Sequence, residues 1–186
     1  MAIKTFAVGE VLTASDTNTY LANSGLVYVS GGAMSASTNI TADSVFTSTY
    51  RHYVLQVVAN TVTFATSDST TLRFRTGGSS NTTSNYVYQN QYVTTSATYA
   101  RVTVPTTFFE VSASVGGDAF VGQFNIYSPQ TTEKTFFTFN GNNAGTVGLQ
   151  SSGRFNATTS FDGFILALGG TSTWTGTWRL YGMRDG

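Results

Sequence analysis

From Leu26 onward the chain is a succession of short runs in which apolar and polar residues alternate, and this period of two constrains its fold more than any other feature. In AFVGQFNIYS, Phe120, Phe124 and Ile126 fall on one side and Val121, Gln123 and Asn125 on the other, the pattern of a strand with one buried face. RHYVLQVV turns Tyr53, Leu55 and Val57 inward, and TLRFRT turns Leu72 and Phe74 inward against Arg73 and Arg75. KTFFTFN and FDGFILAL read the same way. Turn residues separate the runs: GG at 31 and 77, TSDST at 66, VGGD at 115, NGNNAG at 140 and GGTS at 169. Eight or more strands at this spacing, with almost no helix, predict an all-β fold, an antiparallel β-sandwich of jelly-roll type.

Pro105 and Pro129 fall at predicted strand ends, where a missing amide is tolerated. In the closing run TWTGTWRLYGMR, Trp174, Trp178 and Leu180 share one face, while Arg179, Tyr181 and Met183 share the other. Large side chains on both faces predict a strand that is central in its sheet or pressed against a neighbouring chain, with Trp178 in the core.

Charged residues make up only 10% of the chain, against about 25% in ordinary soluble domains, so neutral polar groups must cover the surface. Nine Lys and Arg balance nine Asp and Glu. No basic field exists to attract phosphates, and nucleic acid is not an expected partner. So little charge also offers weak protection against self-association, which suits a protein that lives in an assembly. There is no Cys, hence no disulfide and no thiolate chemistry. Neither a signal peptide nor an apolar run long enough to span a bilayer can be read, so a soluble product without a membrane span is expected.

One segment departs from the strand pattern. In VGEVLTASDTNTYLANSG, Thr13 is suited to cap a helix, with Asp16 three residues on, where its carboxylate favours the positive end of the helix dipole. The spacing predicts a helix over 14–23, with Gly25 in the left-handed position that ends it. About ten residues are too few for a helix to stand alone in water, and Leu12, Tyr20 and Leu21 give it only a thin apolar stripe. It needs something to lie on, either the end of its own domain or another subunit; in the second case residues 1–25 are a docking segment, with Leu12, Thr13, Asp16, Tyr20 and Leu21 as its interface residues, and residues 26–186 are the β-domain.

Little in the sequence points to catalysis. His52, the only histidine, has no GxSxG elbow to serve and reads as a strand residue. The acids are scattered singly, without a metal-binding run, so no catalytic residue, metal or cofactor is expected. Two of Glu110, Asp118, Glu133 and Asp162 would have to meet in space for glycoside hydrolysis. Asn39, Asn81 and Asn156 head glycosylation triplets that a chain so rich in Thr and Asn produces by chance. The aromatics carry more weight. Tyr86, Tyr88 and Tyr92 line one face of NYVYQNQYV and are candidates for a subunit interface or a glycan contact, or else pack on the second sheet. The loops around Asn81, Gly117 and Asn142 are candidates beside them.

The stretch FAVGEVLTASDTNTYLANSG resembles an N-terminal motif shared by virion proteins of tailed bacteriophages, those of the tail fibre, minor tail and appendage type. GTWRLYGMR looks like the last strand of the β-rich domains that follow that motif. The resemblance implies a structural protein of the virion, made in the host cytoplasm, docked to other virion proteins through its N-terminal segment. It further implies a β-domain projecting outward, a homotrimer, and a short tail appendage or a capsid decoration protein rather than a full fibre. A receptor-binding or glycan-binding module is the main rival.

Overall fold

A computed structural model describes residues 7–11, 13, 25–63, 69–94, 96–112, 119–143 and 147–183. Among these the chain forms thirteen strands and no helix. In chain order they are β1 (Leu26–Ser37), β2 (Asn39–Ala42), β3 (His52–Thr63), β4 (Thr70–Thr76), β5 (Ser79–Ser80), β6 (Tyr86–Val93) and β7 (Thr98–Thr106), then β8 (Phe109–Ser112), β9 (Phe120–Tyr127), β10 (Phe136–Asn143), β11 (Val147–Phe155), β12 (Gly163–Leu168) and β13 (Thr173–Met183). The helix expected over 14–23 lies outside the described residues. What precedes β1 within them is a turn at Ala7–Glu10, closed by Glu10 N–H to Ala7 O at 3.0 Å, and Gly25 at a φ of 96°. No helix among the described residues is long and apolar enough to cross a membrane.

The strands form two antiparallel sheets. The larger runs β1-β13-β3-β9-β10-β11-β6-β7, and the smaller runs β2-β12-β4-β5 with β8 also paired to β4. Pairing is nested: β1 with β13, β2 with β12, β3 with β9, β4 with β8. These eight strands trace one long hairpin, with β4 and β8 at its tip, rolled up so that successive strands along each arm drop into opposite sheets. The remaining strands are added to it, with β10, β11, β6 and β7 widening the larger sheet beyond β9.

The inward faces follow the alternation read from the sequence. Tyr53, Leu55 and Val57, Leu72 and Phe74, and Phe120, Phe124 and Ile126 are all buried. Rings from the two sheets meet in one core: Phe109 of β8 lies 4.3 Å from Phe137 of β10, and Phe164 of β12 lies 5.9 Å from Trp178 of β13. Stability comes from this shared apolar contact, since each large side chain removed from water contributes about 1.5 to 3 kcal/mol.

Three expectations need correction. Gly31 and Gly32 do not turn the chain but lie inside β1, because β13 passes too close for a side chain. A Cβ on Gly31 would stand 2.6 Å from the Trp178 carbonyl oxygen, and one on Gly32 would stand 3.3 Å from the Trp178 indole nitrogen. Likewise Asn140-Gly141-Asn142-Asn143 is the end of β10, where the ring of Phe139 occupies the space a Gly141 side chain would need. Trp178 is half-buried rather than core, whereas Trp174 on the same face is fully enclosed. The turn at Gly77–Gly78 holds, with φ values of 56° and 78° between β4 and β5. Pro105 sits on the edge strand β7, at an irregularity where the register with β6 slips, and so interrupts no ladder.

Candidate functional site

Alternation that buries one face of the larger sheet leaves the other outward, and there the register lines up a row of amides. Gln56 of β3 stands opposite Gln123 of β9, Gln123 opposite Asn140 of β10, Asn140 opposite Gln150 of β11, and Gln150 opposite Gln91 of β6. Five carboxamides thus occupy one row across five adjacent strands. At the usual strand spacing the row is about 19 Å long.

The rows on either side differ from it. Toward one end of the strands come Asn125, Thr138, Ser152 and Gln89, which satisfy one another: Asn125 Nδ2 donates to Thr138 Oγ1 at 3.2 Å, and Gln89 Nε2 donates to Ser152 Oγ at 3.3 Å. Toward the other end lie Val58, Val121 and Val93, all more than two-fifths exposed, with Gly148 between Asn142 and Val93. A Cβ at Gly148 would meet nothing within 4 Å, so the face has a notch there.

Within the amide row the only side-chain hydrogen bond is Gln56 Nε2 to Gln123 Oε1, at a long 3.5 Å. Asn140, Gln150 and Gln91 make none among the described residues and are open to solvent. Grooves of about 500, 240 and 380 Å³ run along this face, and Asn140 borders all three. Among the described residues no carboxylate borders them; Arg101 borders the first, but its guanidinium is paired with Glu110 at 2.6 Å. A carboxamide donates and accepts hydrogen bonds without titrating. The face can therefore hold a neutral polar ligand but moves no proton.

The sequence candidates lie elsewhere. Tyr86 and Tyr88 are buried, which corrects their reading as a host-contact surface: they project toward the smaller sheet, where Tyr86 meets Phe109 at 4.7 Å and Tyr88 donates to Glu110 Oε2 at 3.1 Å. Burial pushes the Tyr86 phenol far above its ordinary pKa, against the opposing effect of its bond with the Phe74 backbone. Tyr92, near the rim, is half-buried and stacks on Tyr99 of β7 at 4.7 Å. Of the docking residues, Thr13 is exposed, while Leu12, Asp16, Tyr20 and Leu21 lie outside the described residues.

Nor, among the described residues, are the acids brought together. Glu110 is buried against Arg101 and Tyr88, Glu133 pairs with Arg51 at 2.7 Å on the surface, and Asp162 accepts the Gly77 amide at 2.8 Å. Asp118 lies outside the described residues, as does Gly117. Asn81 is held in its own turn by the backbone and hydroxyl of Thr83. His52 is half-buried at the start of β3, its ring 5.2 Å from that of Tyr127. No family model, no curated protein and no solved structure matches the chain.

The amide row was not found from the sequence. Members such as Gln123 beside Phe124 and Gln91 beside Tyr92 are readable as outward-facing residues. That they share one row depends on register between strands distant in sequence, which no single run contains.

Proposed function

We propose that the chain is a structural component of a bacteriophage virion, a tail-associated appendage protein that docks to other virion proteins through residues 1–25 and carries its β-domain outward, as a homotrimer. The observation that carries this reading is the nested strand pairing. Numbered along the hairpin, its eight strands lie in the orders 1-8-3-6 and 2-7-4-5, which supports a jelly-roll sandwich, an architecture used by viral capsid and lectin domains. The step from that fold to a virion is analogy. It is joined by the resemblance of residues 6–25 to the phage motif and by a surface with little charge to oppose assembly.

Deleting residues 1–24 tests it. The β-domain should keep a cooperative melt and a strand-type circular dichroism spectrum yet vanish from purified particles, in which the full chain is present at a few or a dozen copies. Hundreds of copies per particle would make it a capsid decoration protein, and normal incorporation of the truncated chain would end the docking role. A receptor-binding reading is favoured by one feature only, the uncommitted amides of the outer face.

A further inference from the structure

We propose that the row Gln56, Gln123, Asn140, Gln150 and Gln91 is a binding site for a neutral polysaccharide chain lying across the strands. This goes beyond the virion role and does not depend on it. Three properties of the face select the ligand.

The first is hydrogen-bonding capacity. Each primary amide has two donors and one acceptor, and sugar hydroxyls also do both, so either partner can satisfy the other in several orientations. The adjoining row has spent this capacity on internal bonds, Asn125 to Thr138 and Gln89 to Ser152. The middle row keeps it free at Asn140, Gln150 and Gln91.

The second is period. Amides recur once per strand, about every 4.8 Å, close to the ring-to-ring repeat of an extended polysaccharide. An extended peptide laid the same way presents like-facing side chains about every 6.7 Å and falls out of step by the second strand. Val58, Val121 and Val93 border the row on one side with exposed methyl groups, suited to the CH face of a sugar ring, and the notch at Gly148 leaves room for one.

The third is charge. Arg179, opposite Gln56, stands at one end of the row, and the guanidinium of Arg101 is paired with Glu110. A phosphate backbone would find no series of cations, and a cationic chain no carboxylates. A second copy of this chain, packed face to face, would match the strand period, but it would desolvate five amides on each side, at a cost met only if every one found a partner.

The experiment is affinity electrophoresis of the purified full-length chain in native gels cast with dextran, mannan, laminarin or galactan, with dextran sulfate as the charged comparison. At least one neutral polymer should retard the protein, equally at about 50 and 200 mM salt. The triple variant Gln123→Ala, Asn140→Ala, Gln150→Ala should bind roughly tenfold or more weakly. Gly148→Trp should also block binding by filling the notch, while Asn125→Ala, one row away, should leave it within about threefold, as expected of an amide whose bond is already made internally. Melting curves establish that each variant is folded. Retardation by no neutral polymer, retardation unchanged in the triple variant, or retardation by dextran sulfate alone that salt abolishes would each overturn the proposal. So would a change in molecular mass by light scattering in the triple variant, which would assign the face to a second copy. Particle incorporation plays no part in these readouts, so the two proposals fail separately.

Discussion

Tyr86 places a hydroxyl in the middle of an aromatic core and satisfies it there. The hydroxyl donates to the Asn81 carbonyl at 3.0 Å and accepts the Phe74 amide at 3.2 Å, while its ring meets Phe109 and Phe155 edge-on. Ionisation would put a charge where water cannot follow, so the folded-state pKa lies above the unfolded value of about 10. Tyr53 is shifted in the same direction by the same cause. A pKa raised by folding means that the folded state holds its proton more tightly. The stabilisation is complete below pH of about 10 and is lost as pH rises through the folded value. In a titration of phenolate absorbance, Tyr86 should therefore remain protonated until the protein unfolds in alkali, and Tyr53 should titrate later than a free tyrosine. Smooth titration of all ten tyrosines near pH of about 10 with the fold intact would refute it. Tyr86→Phe should cost about 1 to 3 kcal/mol in urea denaturation, because the buried Phe74 amide and the part-buried Asn81 carbonyl lose their partner. The sequence placed Tyr86, Tyr88 and Tyr92 together on one face but left open what that face meets. A tyrosine suits a core and an interface equally well, and the partners that decide it, Phe109 and the Asn81 carbonyl, belong to other elements.

At the scale of the element, β13 shows how far alternation reaches and where it stops. The run puts Trp174, Trp178 and Leu180 on one face, and they do share it, with Trp174 and Leu180 buried. Burial is nonetheless unequal along the strand. Trp174 is enclosed beside Phe120, with ring centres 6.0 Å apart, whereas Trp178 lies at the margin, edge-on to Phe164. An irregularity in the pairing with β3 falls between them, at Thr175 and Gly176. The extra residue, Asn60, belongs to β3, so nothing in TWTGTWRLYGMR announces the bend and twist that a bulge in the neighbouring strand imposes there. The same limit explains the misread glycines at 31 and 141, which make room for Trp178 and Phe139 rather than for a turn. Trp174→Ala should cost about 3 to 5 kcal/mol and Trp178→Ala about half that, measured by chemical denaturation. Equal losses, or a larger one at Trp178, would mean that the strand sits differently against the smaller sheet.

For the whole molecule, the nested pairing and the added strands have different consequences. Nesting joins the first strand of the domain to the last, so the roll closes only when both are in place, and the added strands cover β9, leaving β3 and β9 paired on both sides in the interior of the larger sheet. The period of the runs made the strands legible, but nesting was not, since pairing partners lie far apart in the chain and the alternation is the same whichever strands meet. The added strands also build the amide face: Gln56 and Gln123 stand on the roll itself, while Asn140, Gln150 and Gln91 stand on β10, β11 and β6. The larger sheet thereby ends on β7, a strand with a single neighbour. There Tyr99 remains half-exposed although it stacks on Tyr92, and Arg101 reaches back to Glu110 with most of its own side chain in solvent. Edge strands with partly wet faces open at low free energy, whereas strands paired on both sides open only with the fold. Hydrogen exchange on the purified protein should accordingly find β3 and β9 the most protected segments and β7 among the least. Protection of β7 equal to that of β3 would mean that its edge is covered in solution. If that cover is another copy of this chain, protection should fall on dilution as the copies separate.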